Sequence, residues 1–99
     1  MNIQKLMKQA QQMQAGMAAA QEELGRRTFE VTVGGKVTVV ATGGGEVQSI
    51  VIDKSVVDPE DVEFLQDLVL KGVQEALAKG KAVAAAEMQK LTGGMGLPF

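Results

Sequence analysis

The sequence predicts an α+β fold in the order α-β-β-β-α, a three-stranded antiparallel meander between two long helices. Three observations predict it. Apolar residues recur at spacings of three and four from Ile3 to Leu24. The period then falls to two between Thr28 and Asp53, and helical spacing returns after Asp58-Pro59.

Residues 2–24 read as one helix, the core of an N-terminal segment 1–25. Ile3, Ala10, Met17 and Leu24 hold one heptad core position, and Leu6, Met13 and Ala20 the other. Asn2 suits the N-cap, and Gly25 suits the C-terminal stop. Gly16 weakens the middle by about 1 kcal/mol relative to Ala. A seam of Ala and Met is narrow and soft, so this helix is expected to pack along another one.

Residues 28–53 supply the sheet. Phe29, Val31 and Val33 alternate with Thr28, Glu30 and Thr32, and Gly34-Gly35 is read as a two-residue hairpin turn. Lys36–Thr42 returns with Val37, Val39 and Ala41 on one face. Gly43-Gly44-Gly45 turns again, and Glu46–Asp53 forms the third strand, carrying Val47, Ile50, Val51 and Ile52. Val40 and the run Ile50-Val51-Ile52 break the alternation, so both faces are expected to be partly covered. A short sheet leaves its edges unprotected, which pairing with a second copy would cure.

A loop leads to Asp58-Pro59-Glu60-Asp61, read as a helix start: Asp at the cap, Pro in the first turn, acids beside the positive end of the dipole. The helical segment 58–91 carries Phe64, Leu65, Leu68, Val69, Val73, Ala76 and Leu77, then Val83, Ala84, Met88 and Leu91. Lys79-Gly80-Lys81 marks the expected bend or interruption. Residues 92–99 read as a flexible Gly-rich tail, and the whole of 1–99 as one domain.

Composition removes most chemistry. With no Cys and no His there is no disulfide, no thiol nucleophile and no Ser-His pair. Ser49 and Ser55 lack any activating base. A metal site would need carboxylates alone, and Asp58, Glu60, Asp61, Glu63 and Asp67 do not follow EF-hand spacing. Gly34-Gly35-Lys36-Val37 has Val where a phosphate loop needs Ser or Thr, and lies between strands. No catalytic residue, metal or cofactor is expected, and the protein is read as non-enzymatic. Residues 1–24 are too polar for a secretory signal and no apolar run could span a bilayer, so a cytoplasmic protein without membrane contact is expected. Phe29, Phe64 and Phe99 are the only aromatics, too few to stack single-stranded bases.

Charge is segregated beneath a net of −2. Residues 1–27 are basic on balance through Lys5, Lys8, Arg26 and Arg27; 71–99 are basic through Lys71, Lys79, Lys81 and Lys90; the centre holds most of the acid. Lys5, Lys8, Arg26, Arg27, Lys79, Lys81 and Lys90 are the candidate phosphate contacts, provided the two helices run side by side and a two-fold doubles the basic edge.

The opening Lys5-Leu6-Met7-Lys8-Gln9-Ala10-Gln11-Gln12-Met13-Gln14, the pair around Gly34-Gly35-Lys36-Val37-Thr38-Val39, the stretch Gly43–Ile52 and the closing Met88-Gln89-Lys90-Leu91-Thr92-Gly93-Gly94-Met95-Gly96-Leu97-Pro98 together resemble the bacterial YbaB/EbfC family. The resemblance covers nearly the whole chain. It implies a homodimer joined at the sheets with helices as projecting arms, binding double-stranded DNA of the nucleoid and affecting its organisation and gene expression. On this reading Val37, Val39, Ala41, Val47, Ile50 and Ile52, with Phe64, Leu68 and Val69, form the dimer interface. Where the family often carries Asn-Asp-Ala midway along the second helix, this chain reads Gln74-Glu75-Ala76. The competing expectation is a dimeric adaptor with little DNA affinity, using Met13 and Met17 to capture a replication or recombination protein.

Overall fold

The computed structural model describes residues 2–93. Helix α1 spans Ile3–Arg26, followed by strands β1 Thr28–Val33, β2 Val37–Thr42 and β3 Val47–Ile52, a short 3-10 turn Lys54–Val56, and helix α2 Val62–Gly93. The predicted α-β-β-β-α order is therefore present. The strands form one antiparallel sheet in the order β1-β2-β3. Most of the expected flexible tail lies outside the described residues; Thr92 and Gly93 belong to α2.

Asn2 caps α1, its side chain accepting the Lys5 N–H at 3.2 Å. Gly25 is not the stop: the helix continues to Arg26, and the Arg27 N–H closes it on the Glu23 carbonyl at 3.0 Å. Gly25 serves a contact instead, its carbonyl accepting the Gly44 N–H at 3.3 Å.

The first hairpin uses Gly34 and Gly35 at φ 59° and 67°, a region costly for residues with a Cβ. Its strand pairs end at Val33↔Val37, so Lys36 joins the connection and the loop has one residue more than predicted. Between β2 and β3 the register shifts at Val40/Ala41: Val40 faces Ser49 while Ala41 faces Val47, leaving Gln48 as the extra residue of a bulge.

The start of α2 also differs from expectation. The Asp58 side chain accepts the Glu60 N–H at 2.9 Å and its carbonyl accepts the Asp61 N–H at 2.9 Å, which makes a separate turn. The side chain that reaches into the first turn of α2 is that of Asp61, accepting the Phe64 N–H at 3.4 Å. Asp58 therefore shapes the approach, and the helix begins at Val62.

Helix α2 lies across β1 and β2 and is continuous through Lys79-Gly80-Lys81. Gly80 is a packing residue, not a bend. A Cβ there would stand 3.0 Å from the Thr42 carbonyl oxygen and 3.2 Å from the Phe29 ring. One turn pair earlier, a Cβ on Gly72 would stand 2.8 Å from Val39 Cγ2. With Ala76 between them, these residues form a stripe at spacing four that lets the helix axis approach the sheet closely. Val37, Val39, Ala41 and Ala76 are completely buried at this contact, flanked by Val31, Leu68, Val69, Val73 and Leu77. The second close approach joins α1 to the β2–β3 turn, where a Cβ on Gly43 would fall on the Leu24 carbonyl oxygen.

Only one face of the sheet is covered within the protomer. Val40 is half-buried and Val51 is 63% exposed on the other face, so the two-sided cover expected from the broken alternation is not met by any described element.

Replacing Gly43 by Ala is expected to lower stability more than replacing Gly80, because the first sets a methyl directly on the Leu24 carbonyl oxygen whereas the second sets it 3.0 Å from that of Thr42. Overpacking of this kind costs about 1–3 kcal/mol. Thermal unfolding of the two variants checks the ranking.

Candidate nucleic-acid interface

The protomer extends over 73 × 24 × 16 Å with a radius of gyration of 19.9 Å, against about 13 Å for a compact domain of this length. The excess comes from α1 and the far half of α2, which leave the sheet as an antiparallel pair. Leu24, Ala84 and Met88 line one hollow between the helices, and Ala20 and Leu24 share another with Glu87 and Leu91.

The seven candidate phosphate contacts divide into two groups. Arg26, Arg27 and Lys79 stand where the helices leave the sheet, and each is already engaged. Arg26 pairs with Glu22 at 3.0 Å, one helical turn away. The Arg27 guanidinium lies 5.4 Å from the centre of the Phe29 ring, and Lys79 Nζ donates to the Glu30 carbonyl at 3.2 Å. The Arg26 pair is largely in solvent and is worth little, so it does not withhold Arg26 from a stronger anion.

Lys5, Lys8, Lys81 and Lys90 are exposed and, among the described residues, make no ion pair or side-chain hydrogen bond. Lys5 and Lys8 lie off the apolar seam of α1. Lys79 and Lys81, two residues apart, project roughly 200° apart around α2, so they do not line a common edge; Lys79 and Lys90 do share a side. Gln74 and Glu75, at the departure from the family pattern, are exposed on the sheet-bound half of α2.

A different surface lies at the other end. Val47, Ile50 and Ile52 sit opposite Ala41, Val39 and Val37 in register, hence on the face that α2 covers. The helix stops short of them, and every residue of β3 is exposed. Between β3 and α2 runs an apolar groove of about 460 Å³ lined by Ile52, Leu65, Gln66, Val69, Leu70 and Val73. Beside it Phe64 is 52% exposed. Among the described residues neither outer edge of the sheet has a neighbouring strand; on the β1 side the Glu30 carbonyl accepts the Lys79 ammonium.

This surface redistributes the residues assigned to a dimer. Val37, Val39 and Ala41 have no accessible area in the protomer, because α2 covers them. Val47, Ile50, Ile52 and Phe64 are exposed, and Leu68 and Val69 are half-buried. Leu65 and Val73, read from the sequence as part of the apolar face of α2, belong to the groove, as does Leu70, which the sequence reading did not single out. Their signal was an apolar spread on α2 too wide for a single contact.

The acids gather near the same end, at Asp53, Asp58, Glu60, Asp61, Glu63 and Asp67. The Ser55 N–H, donating to Asp53 Oδ1 at 2.8 Å, holds that carboxyl below its ordinary range, helped by the Ser55 hydroxyl and by Lys36 at 3.9 Å. Among the described residues no cluster of acids is arranged to hold a metal ion, and no helix is long and apolar enough to cross a membrane.

Comparison of the sequence with known proteins finds relatives along nearly its whole length. The YbaB/EbfC DNA-binding family matches residues 1–95. A nucleoid-associated protein of Akkermansia muciniphila is 58% identical over 99 residues, covering 99% of this chain and 95% of its own. Nucleoid-associated proteins of Ruminiclostridium cellulolyticum and Acetivibrio thermocellus are each 53% identical over 96 residues, covering 96% of this chain and 84% and 85% of their own.

Substituting Lys5, Lys8, Lys81 and Lys90 together by Gln is expected to leave the melting temperature unchanged, since they touch nothing that holds the fold. Arg27→Gln is expected to cost about 0.5–1 kcal/mol through loss of the Phe29 contact. Calorimetry of both variants separates the two groups.

Proposed function

Because this chain belongs to the YbaB/EbfC DNA-binding family, we propose that it is a non-enzymatic, homodimeric nucleoid-associated protein that holds duplex DNA mainly through phosphates. Through that contact it influences nucleoid organisation and gene expression. The observation that carries this reading is the separation of charge along a 73 Å protomer: unpaired lysines on the arms, acids and bare apolar surface at the far end of the sheet.

Each end supports a different half of the reading. An edge strand flanked by exposed apolar side chains invites strand addition. A second copy meeting β3 and the groove would take Ile50, Ile52, Phe64 and Leu70 out of water. Each such side chain contributes about 1.5–3 kcal/mol when fully buried. The two-fold then leaves both pairs of arms free and doubles the basic residues that a duplex can meet. Lys5, Lys8, Lys81 and Lys90 supply contacts along the arms; Arg26, Arg27 and Lys79 supply them at the base. The contacts are to the charged backbone, which carries no sequence information directly, so limited sequence preference follows. The acids around Asp58 repel phosphate and keep the duplex on the arms.

Titration of duplex DNA across salt concentration tests the DNA half. Affinity is expected to fall with salt at a slope near −0.9 per phosphate engaged, and Lys5→Gln/Lys8→Gln in both copies is expected to flatten that slope by about 2 to 4. A folded dimer that gives no complex at low salt would overturn the proposal. For the dimer half, Leu70→Asp puts a charge in the groove. Sedimentation is expected to show a folded monomer with weakened DNA binding; an unchanged dimer would move the interface elsewhere.

A further inference from the structure

The face of α1 turned away from its apolar seam is built differently from an ordinary solvated helix. Such faces are commonly held by Glu–Lys pairs one turn apart. Here no acid stands between Ile3 and Gln21, Lys5 and Lys8 are the only charges of that stretch, and its other polar side chains are all glutamines. Within roughly 60° of Lys8 around the helix lie Gln4, Lys5, Gln11, Gln12, Ala15 and Ala19, every one of them exposed. Among the described residues the side chains of Gln4, Gln11 and Gln12 make no hydrogen bond. The row ends at Glu22, which Arg26 engages at 3.0 Å.

This row matches the major groove of a duplex in size and in chemistry. A helix with its side chains is about 10–12 Å across, and the groove is about 12 Å wide. Ala15 and Ala19 carry nothing beyond Cβ, and Gly16 beside them has no described atom within 4 Å of where a Cβ would stand. The helix surface is therefore thin at this level and admits close approach. Gln4 and Gln12 are separated by about 12 Å along the axis, the length of about three to four base-pair steps. A glutamine amide sets a donor beside an acceptor, the complement of adenine N7 and its N6 amino group. Unlike Glu, it brings that pattern without a charge that repels phosphate.

We propose that the outward row of α1 lies in the major groove and that Gln4, Gln11 and Gln12 read adenine edges there. The inference rests on the duplex-binding reading above and deepens it. Phosphates supply the affinity through Lys5 and Lys8, whose long flexible stems reach the groove walls, and the glutamines supply a preference among sequences. Each amide donates to adenine N7 and accepts from the N6 amino group. The apolar seam stays turned away from the duplex.

A mobility-shift titration with two duplexes tests this, one of natural bases and one with 7-deazaadenine in place of every adenine. The replacement removes the N7 acceptor from the major groove and leaves the phosphates and the minor-groove edges as they were. The native protein is expected to bind the modified duplex at least about fivefold more weakly, the effect of losing one hydrogen bond. Equal affinity for the two overturns the proposal. Gln4→Ala/Gln11→Ala/Gln12→Ala changes exposed positions to the better helix former. This variant is expected to bind both duplexes alike, with the salt slope of the native protein. A variant that still distinguishes them overturns the assignment to these glutamines. Absence of any complex at low salt removes the duplex-binding reading and this inference with it, whereas the other two failures leave that reading intact.

Discussion

The fold depends on how closely α2 can approach β2. Gly72, Ala76 and Gly80 present almost no side chain along one line of the helix, and Val37, Val39 and Ala41 fill the space that results. Everything else is positioned by that contact. It sets the angle at which α2 leaves the sheet, and so where its distal half meets α1. It also places the helix over β1 and β2, leaving β3 uncovered. A larger residue at Gly72 or Gly80 would lift the helix and loosen both consequences together.

The bare strip and the arms are thus two products of one packing choice. A helix centred on β2 and β3 would have hidden Ile50 and Ile52 and left β1 open. Centred as it is, the helix gives the sheet a guarded polar side and an apolar side bordered by a groove. The acids of the Asp58–Asp67 region border that apolar side, while the unpaired lysines lie on the opposite reach of the molecule. Charge and apolar surface therefore do not compete for the same contacts.

Much of this was legible in the sequence, for a physical reason. Period three-to-four and period two follow from helix and strand geometry, so the element order, the seam from Ile3 to Leu24 and the inward set of each strand could be read directly. What covers a face could not. Alternation groups Val37, Val39 and Ala41 on one side of β2 with Val47, Ile50 and Ile52 across from them, yet the first three are sealed by the protomer's own helix and the last three are not. Glycine was ambiguous in the same way. Gly80 looks like a weak point in a helix until the neighbouring strand is present; then its missing side chain is the reason for the contact. Asp58 and Asp61 both satisfy the rules for a cap, and only the turn at Pro59-Glu60 decides between them. Among the basic residues, the Glu22–Arg26 pair could be anticipated from spacing, whereas Arg27 over Phe29 and Lys79 on Glu30 depend on how the chain returns.

The Lys79 side chain resting on the β1 backbone has a consequence for stoichiometry. A sheet with two adhesive margins propagates, since each new copy presents a fresh place for the next. Here the Lys79 ammonium occupies the Glu30 carbonyl on the β1 margin, which in the proposed dimer leaves the β3 margin as the place to join. In the proposed dimer, self-complementary union of two such margins would consume both, so growth would terminate at a pair instead of continuing as a fibre.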